Sequence, residues 1–128
     1  MADIRDNSIL ADVKGSLGYN PEEIDPDFDG PIITKINTAI GILARLGLRK
    51  VGDFIVHDGT ETWNDLLGEE YRYIYPHAIN FVEVYVKLTF DTPQSGALKA
   101  ALEEDYKTAE FDVQTGIELH ILEEAENE

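Results

Sequence analysis

Apolar positions along this chain recur mostly at helical spacing, and the elements they predict are helices of short to medium length. Ser8 is placed to cap the first, because Ile9, Val13 and Leu17 then recur every four residues, and Gly18 ends it. An acidic loop with two prolines runs from Tyr19 to Phe28. Asp29 then reads as the cap of a longer helix, with Pro31 in its first turn and Ile32, Ile33, Ile36, Ile40 and Leu43 as its stripe. Gly47 closes that helix. Gly41, in its middle, costs about 1 kcal/mol against alanine and points to a close helix contact.

From Leu48 to Thr62 the pattern changes to two glycines and the β-prone run Phe54-Ile55-Val56, which predicts an extended loop or hairpin with little core. Thr62 can cap the single turn Trp63-Asn64-Asp65-Leu66-Leu67. Tyr75 to Phe90 fits two periods at once, a strand through Val82, Val84, Val86, Leu88 and Phe90 or a buried helix through Ala78, Phe81, Val82 and Tyr85. Asp91-Thr92-Pro93 breaks that segment. Ser95 can cap a last helix carrying Leu98, Leu102, Tyr106, Ala109 and Val113 on one face. Gly116 is expected to interrupt it, after which Ile117-Glu118-Leu119-His120-Ile121 alternates like a strand. The other reading of that run extends the helix, with Val113, Ile117 and Ile121 on one face.

Composition narrows the class. A chain of 128 residues with 43 % apolar residues supports one packed core. A net charge of −16 argues against direct phosphate binding. Without cysteine there are no disulfides, thiolate metal sites or thiol catalysis. The first residues, Met1-Ala2-Asp3-Ile4-Arg5-Asp6, do not read as a signal peptide, and Arg45 and Glu83 break the two best candidates for a membrane span.

Candidate chemistry is sparse. Asp25-Pro26-Asp27-Phe28-Asp29-Gly30 places Asp25, Asp27 and Asp29 at alternate positions before a glycine, as in a calcium-binding EF-hand loop. Its twelfth position is Ile36, where a bidentate glutamate is needed. The metal reading is therefore weak, and a polar loop ending in a helix cap accounts for the same residues. His57, His77 and His120 share no ligand spacing, and adjacent carboxylates such as Glu22-Glu23 and Glu103-Glu104 diverge on any helix. Neither catalysis nor a cofactor is expected. Tyr71, Tyr73 and Tyr75 would share one face of a strand and offer a partner surface, or else rim the core.

Several landmarks recur in a familiar order. They are Ser8-Ile9-Leu10…Val13-Lys14…Leu17-Gly18, then Phe28-Asp29…Ile32-Ile33…Ile36-Asn37, then Leu46-Gly47, Trp63-Asn64-Asp65-Leu66-Leu67 and Val84-Tyr85-Val86-Lys87-Leu88…Phe90-Asp91-Thr92-Pro93-Gln94-Ser95. This order resembles the head–tail connector (adaptor) proteins of long-tailed double-stranded-DNA bacteriophages, from about residue 8 to about 115. The resemblance implies a non-enzymatic virion protein of the capsid–tail neck, forming a homo-oligomeric ring of twelve copies beneath the portal protein and above the next neck or tail protein. DNA would pass through without specific binding, and no membrane is involved. It resolves Tyr75 to Phe90 as a helix. The expected fold is mainly α: a small bundle of about four helices, 8–18, 29–47, 76–91 and 96–115, with the extended loop or hairpin near 48–62 and an extended C-terminal arm.

On this reading, residues 1–116 form a helical connector domain and 117–128 a C-terminal arm and acidic tail. Ile117, Leu119 and Ile121 would dock on the portal by strand addition, and Phe54, Ile55 and Val56 would face the lumen or a neighbouring subunit. One departure stands out, since Phe111 is followed by Asp112 where the family often carries arginine. The alternatives are another neck or tail ring protein, such as a β-rich stopper or tail terminator, and a small calcium-binding module on Asp25–Gly30.

Overall fold

The structure is a computed structural model that describes residues 4–90 and 95–127. Five α-helices carry the fold: α1 (Ile9–Ser16), α2 (Pro26–Leu46), α3 (Trp63–Leu67), α4 (Tyr75–Phe90) and α5 (Gly96–Glu126). Short 3-10 turns at Ile4–Asp6, Arg49–Asp53 and Arg72–Ile74 join them. Among the described residues there is no sheet, only an isolated antiparallel bridge between Ser8 and Thr62.

Polar side chains at the expected positions start most of these helices. Ser8 Oγ accepts from the Ala11 N–H at 3.2 Å, and Ser95 caps α5 through the Leu98 N–H. At α3, Thr62 accepts from the Asp65 N–H while Asp65 accepts from the Thr62 N–H, a reciprocal box that stabilises a helix too short to persist alone. Gly47 ends α2 at φ 140°, a conformation open to glycine and strained for other residues.

The core is one cluster in which α4 packs against both α2 and α5, and α1 closes the other side of α4. Ile32, Ile36, Ile40 and Leu43 of α2 are buried, as their spacing predicts. Phe81, Val82 and Val86 of α4 are fully buried beside them. Each such side chain stabilises the fold by about 1.5–3 kcal/mol relative to exposure.

Four expectations need correction. First, α2 begins one turn early: Asp25, not Asp29, is its cap, with a proline at the first helical position where the missing N–H costs nothing. Second, residues 48–62 form no hairpin; they open with the 3-10 turn and continue as irregular loop. Third, the C-terminal arm is not extended, because α5 runs without a break to Glu126. Gly116 does not interrupt it; a Cβ there would collide with Ile74 Cδ1, so the glycine permits close approach of α5 to the turn at Arg72–Ile74. Fourth, Tyr71, Tyr73 and Tyr75 lie on that turn and at the start of α4, not on a strand. The break expected at Asp91-Thr92-Pro93 lies outside the described residues.

Candidate functional site

The residues singled out from the sequence fall on three surfaces, and packing has divided each set. Ile117 of α5 is 8 % exposed, with its side chain 3.1 Å from where a Cβ on Gly47 would sit. It is a core residue. Its neighbours Leu119, Ile121 and Leu122 remain 54 %, 60 % and 59 % exposed. His120 lies on the inner side, its ring stacked on Tyr73 with centroids 3.7 Å apart, and its Nε2 is 3.1 Å from Glu124 Oε1. The strand alternation fails because a helix turns position 119 about 200° away from 117, while Ile121, on the same face as Ile117, lies one turn past the last buried residue of α5.

The loop set divides in the same way. Val56 is 1 % exposed because the Asn37 side chain clamps its backbone, accepting from the Val56 N–H at 2.8 Å and donating to its carbonyl at 3.0 Å. Phe54 is half-buried against the core, and only Ile55 points outward. Beyond them the tip is held by side chains, not by apolar burial. Glu61 accepts from the His57 and Asp58 N–H groups, and Asp58 accepts from Thr60 Oγ1 and the Thr60 N–H. Those bonds from Thr60 hold the Asp58 carboxyl below the usual range.

Asp25, Asp27 and Asp29 form no loop, since all three are at or inside the start of α2. Asp25 accepts from the Asp27 N–H as a cap. Asp29 is buried and pairs with buried Lys14 of α1 at 2.9 Å, while the Lys14 ammonium also donates to the Glu23 carbonyl. A carboxylate with that partner is already neutralised. Among the described residues, no group of three or more acidic or histidine side chains is placed to hold a metal ion. Beside the pair lies a groove of about 720 Å³, walled by Leu10, Ala11, Ile24 and Ile33 and rimmed by Glu22 and Asp58.

The tyrosines are occupied within the chain. Tyr71 Oη accepts from the Lys50 N–H, Tyr75 Oη donates to Asn64 Oδ1, and Tyr73 stacks on His120. They rim the core. Asp112 lies 4.0 Å from His77 of α4, so the departure after Phe111 puts an acid where α5 meets a histidine.

Sequence reasoning missed three kinds of feature. The Lys14–Asp29 pair and the bond from Trp63 Nε1 to Asp12 at 2.8 Å join residues that no periodicity links. Glu83 of α4 is pushed up to about 7 by burial, with the Asp12 charge adding to the rise and Lys87 opposing it. The third feature is Phe111, 64 % exposed on the outward side of α5. Its signal was present: Phe111 and Leu122 repeat at eleven residues, on the side opposite Val113.

Among the described residues, the candidate side chains thus lie on separate surfaces of a helical body. The sequence profile of a protein family described as phage connector protein matches residues 9–119. No curated protein and no solved structure is significantly similar to the chain.

Proposed function

Because the chain belongs to the phage connector protein family, we propose that it is the head–tail adaptor of a tailed bacteriophage: a ring subunit beneath the portal that extends the DNA channel and carries the next neck protein. The observation that carries this reading is the family match across residues 9–119, which takes in α1 to α4 and the part of α5 that contributes to the core. The all-helical architecture supports an adaptor over the β-rich stopper and terminator proteins. The capped helix at Asp25 and the Lys14–Asp29 pair leave the calcium-module reading without its loop. No helix among the described residues is long and apolar enough to cross a membrane.

In this role the docking segment for the portal is the end of α5, presented as a helix instead of a strand. Leu119, Ile121 and Leu122 are its apolar anchors, and Ile55 is the remaining contact residue of the loop. Residues 1–116 and 117–128 would act as body and docking arm even though one helix spans both. Acidity suits a conduit: twelve copies carry roughly −190 formal charges, and a wall that makes no phosphate contacts does not retain the DNA passing through.

The test is a phage with a nonsense mutation in this gene. DNA-filled heads and finished tails should accumulate unjoined, and the purified protein added to the lysate should join them into infectious particles. Tailed, infectious particles assembled without the protein would overturn the reading.

A further inference from the structure

The chain is electrically polarised. From Gly30 to Gly52 there is no acid, and Lys35, Arg45, Arg49 and Lys50 give that stretch a charge of +4 on a molecule of −16. Lys50 pairs with Glu70, whereas exposed Arg45 and Arg49 have no ion pair among the described residues. Residues 103–128 carry ten acids and one lysine, a charge of −9. Both α2 and α5 turn their buried stripes towards α4, so each leaves an outward face directed away from the shared core.

Those two faces differ in shape as well as in sign. On α2, Thr34, Thr38, Gly41 and Arg45 follow at helical steps of four, three and four. The exposed hydroxyls of Thr34 and Thr38 donate to the Gly30 and Thr34 carbonyls, so these short side chains spend their donors within the helix. Among the described residues outside its own helical turn, nothing lies within 4 Å of where a Gly41 Cβ would sit. The α2 face is therefore low, smooth and weakly apolar, with arginine at its C-terminal end. The α5 face projects instead: Phe111 stands between Glu104 and Glu118, each seven residues away, with Leu119 and Leu122 beyond, all exposed.

We infer that the outward face of α5 in one subunit packs on the outward face of α2 in the next copy of this chain. The inference rests on the ring reading above and assigns the contact that closes it. Two different patches meeting head to tail generate a ring when the rotation between copies closes, whereas either patch meeting itself would bring like charges together. Phe111 would enter the low surface around Gly41, and Arg45 and Arg49 would meet the acids that flank it on the α5 face, Glu104 or Glu118 according to the register. An acidic molecule thereby selects one orientation of approach among many repulsive ones.

Charge reversal tests this without knowing the register. Two full-length variants are prepared, Arg45→Glu with Arg49→Glu, and Glu104→Lys with Glu118→Lys. Association is read by sedimentation over a concentration series and by zero-length carbodiimide coupling of lysine to carboxylate. Each variant alone should associate about tenfold or more weakly than wild type. An equimolar mixture should recover wild-type association, because every contact in it again joins opposite charges. Oligomers that form equally well from either variant alone would overturn this contact, give the α5 face to a different protein, and leave the ring reading standing. A wild-type chain that stays monomeric in sedimentation at high concentration would overturn both.

Discussion

At position 83 a carboxyl is held half-buried on α4, close to the Asp12 charge of α1. Unfolded, it titrates near 4.5; folded, at about 7. The folded state therefore binds the proton more tightly, and this favourable contribution is complete below about pH 4.5 and lost as pH rises through about 7. Urea midpoints of the wild type should fall across that window by an amount worth about 1–2 kcal/mol after screening by solvent, and Glu83→Gln should remove that component. The neighbouring Trp63 is fully buried and donates to Asp12, so Trp63→Ala should cost about 3–5 kcal/mol. Its native fluorescence should be that of an indole shielded from water, and emission typical of an exposed indole would contradict the packing. Burial of Trp63 was readable from Thr62 before it and Leu66-Leu67 after it. Its partner Asp12, fifty-one residues away, was not, because a tertiary hydrogen bond leaves no periodic trace.

Among the elements, the caps were the most legible feature: Ser8, Thr62, Ser95 and Gly47 each sit at the helix ends that local chemistry assigns them. The start of α2 was misplaced because Asp25-Pro26 and Asp29-Gly30-Pro31 offer the same signal one turn apart, and tertiary pairing of Asp29 with Lys14 decided between them. The end of α5 was misread for a different reason. Alternation over five residues fits a strand, but only a helix can bring Val113, Ile117 and His120 onto α4 and the Arg72–Ile74 turn together. Glycine was the misleading cue there, and two glycines now make opposite predictions. Gly41→Ala should stabilise the monomer by about 1 kcal/mol, because the added methyl meets nothing. Gly116→Ala should destabilise it despite the same gain in helix propensity, since the methyl would displace Ile74 from a filled core. Thermal melts that moved in the same direction for both would refute the close approach at Gly116.

For the whole molecule, the fold class and the family were legible from the order of motifs, while the interaction surfaces were not, because exposure is decided only when helices settle against one another. Net charge governs the behaviour of the isolated chain. At low concentration and low salt, −16 per copy repels like copies, so the protein should sediment as a monomer, and moderate salt should promote association by screening that long-range term. Closed rings formed at low salt in dilute solution, without the portal, would contradict this. The placement of α5 carries one more consequence. At about 1.5 Å per residue its 31 residues span roughly 46 Å, yet its buried side chains, Ala109, Val113 and Ile117, lie within three turns. Amide hydrogens in those turns should exchange slowly with solvent, and those of residues 96–101 and 121–126 quickly. The helix is thus pinned at its waist, and on the adaptor reading proposed above its two less buried ends would lend the neck some elastic give without loosening the body that holds it.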